Sequence, residues 1–267
     1  MSKLGFIHYN WPGFSFDDFL RFAAENGAGW VELQLSDVCE DDNFDEERAA
    51  QVRAQVEGYG LKVSALAARN DFVQSDPDAV AFQVDRMQRV AQLAAILCDE
   101  PILRSEGGAP KDSVPQELWA DALYECFARC TSFADNMGVT LAIDNHGIVT
   151  NDGDLLIGLL KRLDHSRIGS NLDTMNFRWA DNSIEECNRF YQELAPFVKH
   201  THLKDGRGSF KEYQGEALGE GEIDLLHALQ CLKNVGYDGV YLAEYEGSET
   251  ANGVGYGKCL EWMKAHI

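Results

Sequence analysis

No run of lysine or arginine occurs anywhere in this 267-residue chain, where 23 basic residues face 44 acidic ones for a formal net charge of −21. Such a surface repels phosphate backbones, so nucleic acid is not expected as a partner. Solubility or a saline habitat accounts for the acidity. No apolar stretch approaches the ~20 residues of a membrane span, and no membrane partner is expected. Seven cysteines are present without a Cys-x-x-Cys pair. Their odd number and the chain length argue against a disulfide framework. Cys126, Cys130, Cys187, Cys231 and Cys259 fall in predicted helices and read as small core hydrophobes of a reducing compartment. No Gly-x-Gly-x-x-Gly follows the first strand-like run, LGFIHY, and that run begins too early to leave room for a signal peptide. A cytoplasmic location is the expectation.

What is present is an alternation without a linker. Strand-like runs cover 4–9, 30–35, 62–68, 101–105, 139–144, 168–173, 198–203 and 239–245. Helical patterns follow at 15–27, 45–59, 76–97, 113–137, 152–163, 183–196, 222–235 and 253–266. Ser15 with Asp18 and Ser113 with Gln116 have capping-box spacing, and Ser183 precedes Glu185 and Glu186. Gly27, Gly60, Gly138 and Gly236 stand where helices should stop. Eight such units predict one (β/α)8 barrel domain over residues 1–267. A doubly wound sheet would normally need fewer.

Four of the later strands end on residues that can bind a divalent metal: Asp144, Asp173, His202 and Glu244. The carboxyl ends of barrel strands are where active sites form. Three carboxylates and one imidazole suit Mn2+ first, with Mg2+, Co2+ or Zn2+ as alternatives. Residues two apart share a face, so His200 and Lys204 point inward with His202, Ala142 and His146 with Asp144, and Leu242 and Glu246 with Glu244. His200 reads as a core histidine beneath the site.

Three segments, LDTMN at 172–176, VKHTHLKD at 198–205 and LGEGEID at 218–224 running through GYDG at 236–239 to Glu244, resemble the xylose isomerase-like barrel superfamily of sugar phosphate isomerases and epimerases. The resemblance implies a ligand set of Glu, Asp, His and Glu from the last four strands. Here Asp144 stands at the first position, one methylene shorter. The resemblance further implies a small sugar substrate and movement of a proton next to its carbonyl through an enediolate. Glu244 is then expected as one proton carrier and Asp144 or His146 as the other. Lys204, Arg207 and Glu32 are candidate substrate contacts, as are Trp11 in the aromatic first loop and Trp179. Arg104 and Glu106 line the pocket or form a rim ion pair. A homo-oligomer is compatible with the aromatic loops.

Three rival functions use related chemistry. A metal-dependent lyase would expel an aglycone from a 3-keto glycoside by β-elimination. Cleavage at abasic DNA belongs to another branch of the superfamily and uses extra histidines on the early strands. This chain offers His8 there, and its third strand ends in Ala67-Ala68-Arg69. A non-enzymatic sugar binder with a decayed site would account for the altered first ligand.

Overall fold

The computed structural model describes residues 3–40 and 42–267. Its barrel strands, in chain order, are β1 (Lys3–Ile7), β2 (Trp30–Gln34), β3 (Lys62–Ala67), β4 (Ile102–Ser105), β5 (Thr140–Asp144), β6 (Ile168–Asp173) and β7 (Val198–Leu203). A short pair, β8 (Asp205–Arg207) and β9 (Gln214–Glu216), precedes the last barrel strand, β10 (Val240–Ala243). The eight long strands are parallel and close in the order β1-β10-β7-β6-β5-β4-β3-β2. The expected (β/α)8 barrel is therefore the observed fold.

Helices return the chain from each strand to the next, the longest being Pro77–Leu97 and Trp119–Met137. Their starts follow side-chain chemistry. The Ser15 hydroxyl accepts the Asp18 N–H at 3.1 Å while the Asp18 carboxylate accepts from the Ser15 N–H, and Ser183 and Glu186 repeat the exchange. Ser113 does not cap its helix. Pro115 begins a 3-10 turn at Gln116–Leu118 that leads into the α-helix, because the proline has no N–H to lose at a helix start. Gly27, Gly60, Gly138 and Gly236 all take the left-handed backbone.

All seven cysteines are buried. Burial pushes the thiols of Cys98, Cys126, Cys187 and Cys259 up to about 12, so they behave as apolar filling. Among the described residues, no helix is long and apolar enough to cross a membrane.

Two features aim the barrel at its mouth. The strand register shifts between Val31 and Glu32 and again between Ser170 and Asn171. Irregularities of this kind redirect the side chains beside them, and Glu32 and Asn171 both turn into the barrel. The loop after β7 is tied down by the Asp205 carboxylate. It accepts N–H groups from Gly206, Gly219, Gly221 and Ile223 at 2.8 to 3.2 Å. A Cβ on Gly221 would lie 1.9 Å from that carboxylate, which explains glycine in this segment.

Candidate metal centre at the barrel mouth

Asp173 and His202 are direct register partners on β6 and β7, and His202 pairs with Leu242 on β10, two residues before Glu244. One donor atom from each of Asp173, His202 and Glu244 falls within 4.8 Å of the others, with all three residues buried. Asp173 Oδ1 accepts the N–H groups of Met175 and Asn176 at 2.8 and 2.9 Å, leaving Oδ2 buried without a partner. His202 Nε2 meets Glu32 Oε2 at 2.6 Å. Its Nδ1 lies 3.0 Å from Glu244 Oε2, close enough to count as an ion pair yet off the line of a hydrogen bond, so Nδ1 is also unpartnered.

Buried polar atoms are normally satisfied, and two orphaned donors facing one carboxylate need a reason. A divalent cation supplies one. The Glu32 contact keeps a proton on Nε2, so that Nδ1, once a cation displaces its own proton, faces the other two donors, the usual support for a metal-binding imidazole. The residues present therefore fit a metal ion. Oxygen, oxygen and imidazole nitrogen suit Mn2+, Mg2+, Co2+ or Zn2+.

Asp144 does not join this group. Its Oδ2 takes a 2.7 Å hydrogen bond from Arg104 Nη1, and its Oδ1 takes one of 2.7 Å from Asn171 Nδ2. Both oxygens are occupied, and the shorter side chain stays beside β4 instead of crossing to the donors. Arg104 Nε also binds Glu32 Oε1 at 2.7 Å, so one buried guanidinium joins the carboxylates of β2 and β5. Charges of alternating sign then run Asp144–Arg104–Glu32–His202–Glu244–Lys204–Glu246, the last two links being 2.9 and 2.7 Å.

These contacts set the protonation states. Burial drives the Asp173 carboxyl up to about 7; Lys204 opposes that, and Glu244 and Asp144 add to it. Burial disfavours the His202 imidazolium, but Glu32 and Glu244 outweigh it and raise the group to about 10. Burial likewise opposes a charged Glu32, and His202 with Arg104 overrides it to about 2. Glu244 is held well below the carboxylate range by Lys204 and His202 against its own desolvation. Burial lowers His200 to about 4 despite Glu32. With Nδ1 on Asn171 Oδ1 at 2.9 Å and Nε2 on Ser64 Oγ at 3.3 Å, His200 is a satisfied interior histidine, although it lies near Glu32 and His202.

Above the donors opens a cavity of about 450 Å³, lined by Tyr9, Gln34, Arg69, Arg104, Asp144, His146, Lys204, Glu244 and Glu246 among others. Glu106 and Ser36 complete its rim. His146 and Lys204 thus stand where their strand parity places them. Glu32 is fully buried between Arg104 and His202, out of reach of a substrate. Trp11 turns away from the mouth: its ring stacks on Tyr256 at 3.8 Å and its N–H binds Ile7 O at 3.0 Å, since an indole is better satisfied under the last helix than in water. Trp179 packs beside Phe210, and Arg207 extends over the surface to the Glu220 carbonyl; neither lines the cavity. Gln34 and Ser36 escaped the sequence reading, which met Arg69 only as the end of the third strand and Tyr9 only as part of the aromatic first loop. Their signal was only that they stand at or just after the ends of strands β1, β2 and β3.

Residues 20–266 match the family described as xylose isomerase-like TIM barrel. An uncharacterized protein of Methanocaldococcus jannaschii is 25% identical over 139 residues, which are 48% of this chain and 46% of that protein, so the likeness spans about half of that relative. A crystal structure of the IolI protein with a bound zinc atom superposes at TM-score 0.80 and 16% identity, covering 99% of this chain and 98% of that one. D-psicose 3-epimerase with D-tagatose from Clostridium cellulolyticum H10 gives 0.75 at 16% identity, with 99% of each chain covered. At these identities the solved structures establish the fold alone. The match over residues 20–266, on a closed eight-stranded barrel with its polar site at the strand ends, makes this chain a member of the xylose isomerase-like TIM barrel family.

Proposed function

We propose that the protein is a divalent-metal-dependent sugar isomerase or epimerase that moves a proton next to a carbonyl through an enediolate. One observation carries the reading: two orphaned buried donors, Asp173 Oδ2 and His202 Nδ1, converge with Glu244 beneath a cavity of small-ligand size. The epimerase among the structural neighbours supports it. Asp173, His202 and Glu244 would hold the ion, which supplies Lewis-acid stabilisation of charge developing on the substrate carbonyl. Asp144 would enter the ligand set only by leaving Arg104, and that pairing takes it out of proton transfer as well.

His146 is then the proton carrier on the β5 side. Its ring makes no hydrogen bond among the described residues and faces the cavity. Glu244 remains the carboxylate on the opposite side, and Lys204, charged and pinned between Glu244 and Glu246, orients a substrate oxygen. The test is exchange of solvent deuterium into the α-carbon of keto-sugars by Mn2+-loaded protein. His146→Asn is expected to lower that exchange by about 10²- to 10⁴-fold while keeping its metal. Full exchange in the variant would remove His146 from the chemistry. Release of a second product would indicate the lyase instead.

Metal uptake should depend on pH with a defined slope. The ion must displace a proton from His202 at pH values below about 10 and a second from Asp173 below about 7. Apparent affinity for Mn2+ should therefore rise about tenfold per pH unit between those values and about a hundredfold per unit below the lower one. Calorimetry in buffers of different ionisation enthalpy reads the same protons directly. A pH-independent affinity would contradict the assigned donors.

A further inference from the structure

We infer that the substrate carries an anionic oxyanion group, a carboxylate or a phosphate ester, at the end remote from the metal donors, and that Arg69 receives it. This deepens the proton-transfer reading and rests on it for the identity of the reacting end.

Three cations line the mouth cavity, and two are already neutralised. Arg104 lies between Glu32 and Asp144, and Lys204 between Glu244 and Glu246. A second cavity, of about 580 Å³, shares Arg69 and Ser36 with the first and is lined also by Leu35, Glu40, Asp42 and Arg86 among others. Arg86 is bound there to Asp42 through two bonds of 2.8 and 2.9 Å. Arg69 borders both cavities, is exposed, and its guanidinium makes no hydrogen bond or ion pair among the described residues. In a chain with 44 acidic and 23 basic residues, an uncommitted arginine between two cavities is out of keeping with its surroundings.

Its backbone is held for that position. Arg69 has φ +50°, a left-handed conformation that side-chain-bearing residues rarely adopt. Both flanks are fixed. The Ala68 N–H donates to Arg104 O at 2.8 Å, and Arg86 Nη1 donates to Ala68 O and Arg69 O at 2.9 and 3.3 Å. On the other side, Asn70 is clamped to Glu106, donating to its carbonyl at 2.6 Å and accepting its N–H at 2.8 Å. Conformations of this kind persist where surrounding contacts over-determine them, and they cluster at ligand sites. A neutral sugar end would need only hydroxyl partners, which Tyr9, Gln34 and Ser36 already offer. The free fork of an arginine matches a carboxylate or phosphate.

The experiment uses the Mn2+-loaded full chain and three ketose probes: D-fructose, D-fructuronate and D-fructose 6-phosphate. Calorimetric binding to the wild type should favour at least one anion over D-fructose by about 10- to 100-fold. The preferred anion separates carboxylate from phosphate. Arg69→Gly keeps the left-handed backbone without strain, so the protein should still fold with its metal site intact while the ratio of anion to D-fructose affinity falls to about one. Arg69→Lys should restore part of it. Equal binding of all three probes, binding of none, or a preference that survives Arg69→Gly would overturn the inference. The same samples in D2O separate the two ideas. Anion binding through Arg69 without deuterium exchange sinks the reaction and leaves the recognition standing. Exchange without anion preference does the reverse.

Discussion

His202→Asn should leave the purified protein without stoichiometric Mn2+ and lower deuterium exchange by roughly 10³-fold or more. Loss of a single preorganised charge-stabilising donor commonly costs about 10²–10³ in rate, and here the whole cation goes with it. His202 is the central member of the donor set, joining Glu32 behind and Glu244 beside it. A chelator should reproduce the loss in the wild type, and added Mn2+ should restore the wild type but not the variant. Glu32→Gln should behave differently. It weakens the hydrogen bond that fixes the imidazole, so metal affinity should fall about 10- to 100-fold without the site being abolished. Asp144→Asn is the informative control. Its carboxylate is bound to Arg104 and Asn171, so metal content should stay within about threefold of wild type. If elemental analysis found Asp144→Asn empty and His202→Asn loaded, the donor set assigned here would be wrong.

The contrast between Asp144 and its three companions also marks how far sequence alone reaches. Every barrel strand was legible because apolar runs such as LAID and GSNLD announce buried strands, and boundaries agree within a residue or two, as at 168–173 and 198–203. The convergence of Asp173, His202 and Glu244 was legible because strand parity and strand ends are local properties. The partner of Asp144 was not, since Arg104 lies 40 residues away in the chain and reaches it only through closure of the barrel. Glu32 is 170 residues from His202, and no local pattern connects them. The first loop misled for a related reason. Its aromatic residues are evident, but whether Trp11 lines the cavity or packs away from it depends on Tyr256 at the far end of the chain. The β8–β9 pair was missed because three-residue strands have too little alternation to register.

Arg104→Met should be the most destabilising single change at the site, by about 3–5 kcal/mol, because it strands two buried carboxylates without removing either. Glu32 is completely buried and Asp144 nearly so, and Arg104 between them is 7% exposed. Glu32 keeps its hydrogen bond with His202 and Asp144 the one from Asn171, which limits the loss without abolishing it. A domain of this kind commonly has about 5–15 kcal/mol of stability in all, so the variant should unfold at markedly lower denaturant concentration. The loss should also depend on pH in a fixed direction. Without the guanidinium, Glu32 loses one of the two groups that hold its carboxyl low against burial, so the variant's folded state takes up a proton at higher pH than the wild type's and its deficit shrinks as pH falls. Neutralising the acids as well, in Glu32→Gln/Arg104→Met/Asp144→Asn, should return much of the stability, since no buried charge is then left unpaired. Equilibrium unfolding of the three proteins at two pH values decides it. A single variant as stable as wild type would mean that Arg104 does not bind both acids in solution, and Asp144 would then be free to join the metal donors.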